Sequence, residues 1–457
     1  MTSRAVHRAS LVALAVAFAP GCFFCGGDDG APERPPPVDT ASMCVAPSLE
    51  HTREAPVART PGSPAAAAGL EAHGAIVRIL AGGSDITAGE TCALFADGAL
   101  ACWGGVGGGE TPAVAFEGAA DAAVGGWHLC ASRTDGSVAC WGLNYEGEAG
   151  APLPAGADDT YIDRPRTVEG VANAVAIAAG DFHSCVLRAD GVVLCFGGDQ
   201  PGGVLGRASV DERCGTYGCS HRPAPVEGLP PSITAIAAGG YHTCALGADR
   251  SVWCWGADDA GQLGDGGSAL ETAHSMPARV EGVSASAIAA GMSATCALDA
   301  EGSVTCWGYL GTGRSDSGAT STRPCCASTA LENVCMPAPQ AIAGLPRVTA
   351  IGVGKEHACA LGDDGLVYCW GGNRAGQLGD GTFEPRAEPR AVPGVERATA
   401  LAVGRLHTCA LLSSGDLLCW GDDENGQLGA GDVDAWSCMS TGGTEFSCSN
   451  EPQRAAL

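Results

Sequence analysis

The sequence has very little positive charge. It contains one lysine, Lys355, and 25 basic residues against 51 acidic ones, which gives a formal net charge of −26 over 457 residues. A chain of this charge is repelled by phosphate backbones and by anionic lipid surfaces. We therefore expect it to bind no nucleic acid and to meet a membrane only through a covalent anchor.

Charged and aromatic residues are also scarce, at 17% and 5% of the chain, and no helical period recurs along it. Glycine, in contrast, is abundant, with 69 residues. This composition is typical of a turn-rich β protein and argues against a disordered chain or a coiled coil.

Linear motifs for catalysis and metal binding are missing. There is no His-Glu-x-x-His, phosphate loop, paired-carboxylate motif or recognisable catalytic triad order. The acidic runs Asp258-Asp259 and 422–425 lack the alternating oxygen ligands and the final glutamate of an EF-hand. We predict no catalytic residue, no cofactor and no metal site, although a site assembled from several repeats would escape a linear search.

Cysteine is what the chain has in excess, with 24 residues. Seven times, two cysteines with nine residues between them are followed by an aromatic residue and glycine; the clearest copy is His242-Thr-Cys-Ala-Leu-Gly-Ala-Asp-Arg-Ser-Val-Trp-Cys-Trp-Gly256. The seven pairs are Cys92 and Cys102, Cys130 and Cys140, Cys185 and Cys195, Cys244 and Cys254, Cys296 and Cys306, Cys359 and Cys369, and Cys409 and Cys419.

A turn lies midway between the two cysteines of most copies, as at Asp97-Gly98 and Asp190-Gly191. A three-residue loop ending in a left-handed glycine places the cysteines directly opposite each other, whereas a two-residue turn would make each pair diagonal. The spacing thus favours cross-strand disulfides over zinc sites, because these pairs lack a short Cys-x-x-Cys knuckle. We also predict disulfides between Cys214 and Cys219 and between Cys438 and Cys448, and leave Cys25, Cys44, Cys325, Cys326 and Cys335 unassigned.

Each unit contains four short extended segments, which predicts a four-stranded sheet, and seven such sheets would close into a ring. The succession Ala-Ala-Gly-x-x-His-x-Cys-Ala-Leu, Asp-Gly-x-Val, Cys-Trp-Gly and Gly-Gln-Leu-Gly resembles the regulator-of-chromosome-condensation (RCC1) repeat, with the last block at 261–264, 376–379 and 426–429. The resemblance implies an all-β, seven-bladed propeller. We expect the C-terminal strand to join the segment 76–80 and complete the ring.

The N-terminus is predicted to be an export signal. Arg4 and Arg8 precede a short apolar stretch, 11–18, and small residues lead to Cys22. The ending resembles a bacterial lipobox, which would make Cys22 the lipidated first residue of the mature chain; ordinary cleavage is the alternative. The predicted domains are a signal peptide over 1–21, a flexible Gly/Pro/Ala-rich linker over 22–74 and the propeller over 75–457.

Two repeated side chains are expected to serve the structure. The histidines should hydrogen-bond within their own sheets rather than bind metal, and the tryptophans should pack between neighbouring sheets rather than stack on sugars. The first copy reads as two residues short before Cys92 and lacks its histidine; the fifth has Ala294 instead. The histidines are His128, His183, His242, His357 and His407, and the tryptophans are Trp103, Trp141, Trp255, Trp307, Trp370 and Trp420.

The segments after Trp-Gly are long in four copies, over 143–163, 198–221, 309–336 and 421–450. They enter at the same point of each repeat, so they should lie on one face of the ring, and three of them carry extra cysteines. Stapled loops fit a recognition surface, although tolerated insertion is the plain alternative. The aromatic residues expected to contact a partner are Tyr145, Tyr161, Tyr217, Tyr309 and Trp436.

Together these features predict a monomeric, non-enzymatic protein-binding scaffold exported to the bacterial outer membrane or cell surface as a lipoprotein, or else secreted or periplasmic. The resemblance implies recognition of proteins through a propeller face, as in chromatin-associated members and in secreted bacterial propellers that inhibit β-lactamases. An exported polysaccharide lyase or hydrolase is the alternative, and a structural envelope component a third. The sequence identifies neither the partner nor a substrate.

Overall fold

The computed structural model describes residues 70, 72–83, 89–105, 112–151, 161–199, 203–210, 212–214, 217–266, 273–311, 335–430, 436–439 and 445–457. Within them the chain is all β, and no helix is long and apolar enough to cross a membrane. The predicted signal peptide, Cys22, Cys25, Cys44, Cys325 and Cys326 lie outside the described residues.

The strands form seven antiparallel sheets arranged as a seven-bladed propeller, in which each blade uses consecutive strands. Blade 1 comprises β1 (Ile76–Gly82), β2 (Glu90–Phe95), β3 (Leu100–Gly104) and β4 (Ala113–Phe116). Blade 2 comprises β5 (Ala119–Val124), β6 (His128–Arg133), β7 (Val138–Leu143) and β8 (Tyr161–Thr167). Blade 3 comprises β9 (Ala174–Ala179), β10 (His183–Arg188), β11 (Val193–Gly198), β12 (Glu212–Cys214) and β13 (Tyr217–Pro225).

Blade 4 comprises β14 (Ile233–Ala238), β15 (His242–Gly247), β16 (Val252–Ala257) and β17 (Ala273–Arg279), and blade 5 comprises β18 (Ala287–Ala290), β19 (Ala294–Leu298), β20 (Val304–Gly308) and β21 (Met336–Ala341). Blade 6 comprises β22 (Val348–Val353), β23 (His357–Gly362), β24 (Val367–Gly371) and β25 (Arg386–Ala391). Blade 7 comprises β26 (Ala398–Val403), β27 (His407–Leu412), β28 (Leu417–Asp422), β29 (Trp436–Met439) and β30 (Glu445–Arg454).

The turn between the second and third strands has the three-residue form expected from the cysteine spacing. In blade 1, Phe95 N donates to Ala99 O, and Gly98 closes the loop at φ +88°, a conformation that favours glycine. Cys92 consequently lies directly opposite Cys102, with 4.1 Å between their Cα atoms. The equivalent cysteines of all seven blades are joined in the same way. Disulfides also join Cys214 with Cys219 and Cys438 with Cys448, and these two pairs are diagonal in their hairpins.

Hydrophobic clusters lie between neighbouring blades, where the predicted tryptophans are found. Trp307 of blade 5, for example, packs with Val252 and Leu263 of blade 4, and its Nε1 donates to Gln262 O at 2.8 Å. Trp103, Trp255 and Trp420 make the same kind of bond to the preceding blade. All six tryptophans of the Cys-Trp-Gly segments are buried, which confirms the packing role predicted for them.

The repeated histidines connect different blades, so the prediction of a bond within their own sheet was wrong. His242 Nε2 lies 2.8 Å from Thr295 Oγ1 in the next blade. That hydroxyl donates to Gln262 O, and the imidazole must therefore donate its Nε2 proton. The equivalent pairs are His128 with Ser184, His183 with Thr243, His357 with Thr408, and His407 with Thr91.

Two interfaces lack this bond, and each lacks both partners. Glu90 of blade 1 and Ala294 of blade 5 occupy the histidine position, opposite the same glycine of the third strand. At the hydroxyl position of the following blades stand Leu129 and Ala358. Histidine and hydroxyl thus occur together or not at all, which is expected if the buried imidazole needs its acceptor.

The first repeat is longer rather than shorter before Cys92. Gly82, not Gly89, is the equivalent of the glycine that ends the first strand elsewhere, because it pairs with Glu90 at the histidine position. The chain therefore has five extra residues, 84–88, before the second strand, and these lie outside the described residues. The sequence pattern assigned this role to Gly89, and for that reason the first repeat looked short.

The ring closes without exchange of strands, which corrects the closure expected from the sequence. β1 pairs with β2 of its own blade, and β30 pairs with β28 and β29 of blade 7. Side chains of the first and last blades, including Phe95, Trp103, Leu411 and Leu417, form one buried cluster between them. Leu70, ahead of the first strand, is buried in the same cluster.

Candidate interaction face

All the long loops leave the propeller from the same side. Because the strands of a blade alternate in direction, the loop between its first and second strands and the loop between its third and fourth emerge at one end. We call this side the loop face. The Asp-Gly turns, such as Asp97-Gly98, lie on the opposite side.

At the centre of the loop face, glycines line a narrow channel. Backbone N–H groups of one blade donate to carbonyl oxygens of the next, as from Gly126 to Gly180 at 3.0 Å and from Lys355 to Arg405 at 2.8 Å. A Cβ on Gly125 would stand only 2.6 Å from Gly180 O, so the blades can approach this closely only with glycine there. These bonds hold the innermost strands together around the axis.

The central cavity measures about 80 Å³. Ligand pockets for small molecules usually enclose roughly 300–1,000 Å³, so this space accommodates a few waters at most. Lys355 and Arg405, from adjacent blades, lie at its rim, half-buried. The residues of the loop face outside the channel are therefore the more suitable surface for a large partner.

The blade 2 loop supplies two exposed aromatic side chains. Tyr145 is 51% exposed and Tyr161 is 44% exposed. Tyr161 pairs with Leu143, the last residue of β7, so both tyrosines stand where β7 and β8 emerge on the loop face. The backbone over 144–151 is held by Asn144, whose amide donates to Ala151 O and whose carbonyl oxygen accepts from Ala149 N.

A buried carboxyl group supports the same loop. Glu148 accepts hydrogen bonds from the backbone N–H groups of Tyr145 and Glu146, at 3.2 and 2.7 Å. Its side chain is completely buried, and this burial raises the pKa of Glu148 to about 7, with a smaller contribution from the neighbouring charge of Glu146. The group is thus close to half protonated at neutral pH.

In blade 3 the segment predicted as a long loop forms an extra hairpin. β12 pairs with the start of β13, and the Cys214–Cys219 disulfide closes the turn. Tyr217, opposite Cys214, is 48% exposed. His221 of β13 donates through Nδ1 to Glu212 at 2.5 Å, and its ring lies against Gly147, so the hairpin contacts the blade 2 loop.

The remaining predicted contact residues have different positions. Tyr309 is half-buried against Ala260 and Cys335, so the prediction of an exposed anchor was wrong there. Cys335 is disulfide-bonded. Trp436 lies in β29, which pairs with β30 to extend blade 7, and its side chain is outside the described part of the chain. Most of the 309–336 segment is outside it as well.

The repeat order, the seven antiparallel blades and the shared inter-blade bonds agree with one family. A family model described as the RCC1-like domain matches residues 109–442. The chain belongs to the RCC1-like domain family. The first three strands of blade 1 precede the matched region, and the structure shows that this blade has the same strand order as the four-stranded blades that follow.

Relatives with this domain cover part of the chain. The human E3 ubiquitin-protein ligase HERC2 is 31% identical over 235 residues, which are 48% of this chain and 4% of the ligase. The ultraviolet-B receptor UVR8 of Arabidopsis thaliana is 32% identical over 209 residues, 45% of this chain and 43% of the receptor. The chain spans less than half the length of each of these relatives.

Solved structures share the RCC1-like propeller fold. Human WBSCR16 is 22% identical with a TM-score of 0.61, covering 76% of this chain and 85% of its own. Yeast RCC1 (Prp20) in its complex with Kap60 is 19% identical, also with a TM-score of 0.61, covering 88% of this chain and 89% of its own. At these identities the likeness concerns the fold.

Proposed function

We propose that this protein is a non-enzymatic binding scaffold of the bacterial cell envelope, and that it recognises a partner protein through the loop face of blades 2 and 3. One observation carries the proposal. Tyr145, Tyr161 and Tyr217 are the exposed tyrosines among six in the chain, and all three lie on neighbouring loop-face elements. The other tyrosines, Tyr241, Tyr309 and Tyr368, are half-buried.

The physical basis is the low ordering cost of such a surface. A tyrosine presents a large amphipathic area with few rotatable bonds, and it is enriched among the residues that dominate binding energy. The disulfide of the β12–β13 hairpin and the buried polar side chains under Tyr145 fix the backbone before a partner arrives. The yeast propeller Prp20, whose fold is similar, binds Gsp1p, histones and Kap60, which supports a protein as the class of partner.

The test compares two sets of alanine variants in the full chain. Replacing Tyr145, Tyr161 and Tyr217 together is expected to weaken partner binding at least tenfold, since each anchoring tyrosine contributes about 1–2 kcal/mol or more. The partner is first recovered from envelope extracts with the wild-type protein and is then measured by surface plasmon resonance.

The matched control is V77A/V175A, which removes two exposed apolar side chains from the ends of β1 and β9 on the opposite face. We expect it to bind as the wild type does. If the control and the tyrosine variant bind equally well, the loop face of blades 2 and 3 is not the binding surface.

The envelope location is proposed on the leader sequence and the disulfides. A chain with so many disulfides fits an exported protein, because thiols stay reduced in the cytosol. Cys22 would carry the lipid. The variant C22S is expected to move from the detergent-extracted membrane fraction to the soluble fraction on cell fractionation; its retention with the membranes would contradict the lipid anchor.

A further inference from the structure

Blade 4 brings together three side chains that the sequence did not connect. Asp258 and Asp265 belong to the loop after β16, and His274 belongs to β17. One ligand atom of each lies within 4.8 Å of those of the other two, and His274 Nε2 is 3.2 Å from Asp265 Oδ2. Asp258 is buried, at 3% exposure, with one carboxylate oxygen accepting from Leu263 N.

Blade 6 contains the same three positions, and different residues stand at two of them. Asn373 corresponds to Asp258, because its oxygen accepts from Leu378 N in the same way. Arg386 corresponds to His274, since each pairs with the glycine of the Trp-Gly segment in the third strand. Asp380 corresponds to Asp265 in the shared Gly-Gln-Leu-Gly-Asp-Gly segment.

The blade 6 cluster satisfies its own charges. The Asn373 amide donates to Asp380 at 3.4 Å and to Thr382 O at 2.9 Å, and the Arg386 guanidinium forms an ion pair with Asp380. In blade 4 the amide becomes a second carboxylate, which has no hydrogens to donate when ionised, and the guanidinium becomes an imidazole. Blade 4 therefore has three side chains that can ligate a metal ion at the positions where blade 6 has side chains that pair with one another.

We propose that Asp258, Asp265 and His274 form a binding site for a divalent transition-metal ion, with Zn²⁺ as the preferred ion. Carboxylate oxygen and imidazole nitrogen are both zinc ligands, whereas Ca²⁺ and Mg²⁺ prefer oxygen ligands throughout. The Zn²⁺ bonds are about 2.0–2.2 Å long, so tetrahedral ligand atoms stand roughly 3.3–3.6 Å apart. The pair His274–Asp265 already has nearly this separation.

The ion neutralises the two facing carboxylates and ties the loop after β16 to β17. In blades 3 and 7 a disulfide joins the segment that follows the third strand to the last strand of the blade, from β12 to β13 and from β29 to β30, and blade 5 has a disulfide-bonded cysteine, Cys335, just before its last strand. In blade 4 the metal would supply the equivalent cross-link. Three protein ligands leave the fourth position to water, and the stabilising effect follows from binding to the folded state alone.

The decisive experiment uses an internal exchange between blades. The full chain, without a histidine tag, is freed of metal by EDTA and titrated with ZnCl₂ by calorimetry. The double variant D258N/H274R carries the blade 6 residues, so it should fold and should lose one equivalent of bound Zn²⁺. Zinc is expected to raise the thermal unfolding midpoint of the wild type but not that of this variant.

The reverse exchange, N373D/R386H, places the blade 4 residues in blade 6 and is expected to add one equivalent. Equal zinc uptake by D258N/H274R and the wild type would overturn the proposal. A titration in which CaCl₂ binds at these residues and ZnCl₂ does not would overturn the choice of ion. Neither zinc uptake nor the thermal unfolding midpoint depends on Tyr145, Tyr161 or Tyr217, so the outcome is independent of the proposed partner binding.

Discussion

Glu148 occupies a position that three other blades fill with glutamine. In blades 4, 6 and 7, the side-chain oxygen of Gln262, Gln377 or Gln427 accepts a backbone N–H two residues earlier. Glu148 accepts the same kind of bond, but its carboxyl group can also ionise in a fully buried place. The residue therefore adds a pH dependence that its glutamine equivalents do not have.

We predict that E148Q stabilises the protein above neutral pH. The pKa of Glu148 is about 7 in the folded protein, and its ordinary value of 4.5 applies to the unfolded chain. A raised pKa favours the folded state at low pH, and this stability is lost as pH rises from about 4.5 through 7. The gain from glutamine at pH 8 should therefore reach up to about 3 kcal/mol and vanish near pH 4.

Urea unfolding of E148Q and the wild type at pH 4, 6 and 8 measures this difference. The control variant E117Q removes an exposed carboxylate. Its stability is expected to differ from that of the wild type by the same amount at all three pH values. A constant effect of E148Q at all three pH values would show that Glu148 does not titrate in this range.

At the scale of the strand, the central hairpin of each blade could be predicted from the sequence. The cysteine spacing fixes the register of Cys92 against Cys102, and Asp97-Gly98 fixes the loop length, because both signals lie within eleven residues. Local patterns of this kind are readable since a shift of one residue would separate the cysteines.

The pairing of the third strand with the fourth could not be predicted. Its register is irregular in every blade, for instance between Cys254 and Gly256, and a long loop precedes the fourth strand. His274 consequently comes to face Gly256 eighteen positions away by a route that no local pattern shows. The sequence pattern therefore connects Asp258 only with its neighbour Asp259, and it predicts a loop where the β12–β13 hairpin forms.

The hydrogen bonds between neighbouring blades also could not be predicted from one repeat considered by itself, because their two partners lie in different repeats. His242 and Thr295 are separated by 53 residues, yet their equivalents are present or absent together, as Ala294 with Ala358 shows. A comparison of the seven copies position by position, each with the next, would have revealed the pairing. Reading each copy alone assigned the imidazole to its own sheet.

For the whole molecule, five buried imidazoles make the ring sensitive to acid. Burial lowers the pKa of His128, His242 and His357 to about 3 and that of His183 and His407 to about 4. Nδ1 of four of these rings has no hydrogen-bond partner, so a second proton there would have no acceptor. The four are His128, His242, His357 and His407.

We predict a steep loss of stability as pH falls from about 6.5 toward 4. A histidine whose pKa is lower in the folded state contributes stability above its unfolded pKa of about 6.5 and loses it as pH falls, because the unfolded chain binds the proton. Five such groups give a slope of up to about 7 kcal/mol per pH unit. Burial raises the pKa of three carboxyl groups, Glu148, Asp258 and Asp422, which oppose the histidines and make the net slope smaller, but the five histidines outnumber them.

The pH dependence of urea unfolding between pH 7.5 and 4.5 measures this slope. The double variant H242A/T295A copies the Ala294–Ala358 pair of the interface between blades 5 and 6. It should be less stable at pH 7.5, and its loss of stability with acid should be less steep by up to about 1.4 kcal/mol per pH unit, the share of one histidine. A slope unchanged from that of the wild type would mean that His242 takes up no proton on unfolding.

The nine disulfides whose two cysteines both lie in the described residues have a further consequence for how the molecule is made. Each of the nine joins cysteines five or ten residues apart within a single blade. A contact across ten residues forms within about 10–100 ns, far sooner than any contact with a neighbouring blade needs. Each hairpin can therefore bring its own two cysteines together before the blades pack, and this short separation favours correct pairing among so many cysteines once the chain reaches an oxidising compartment.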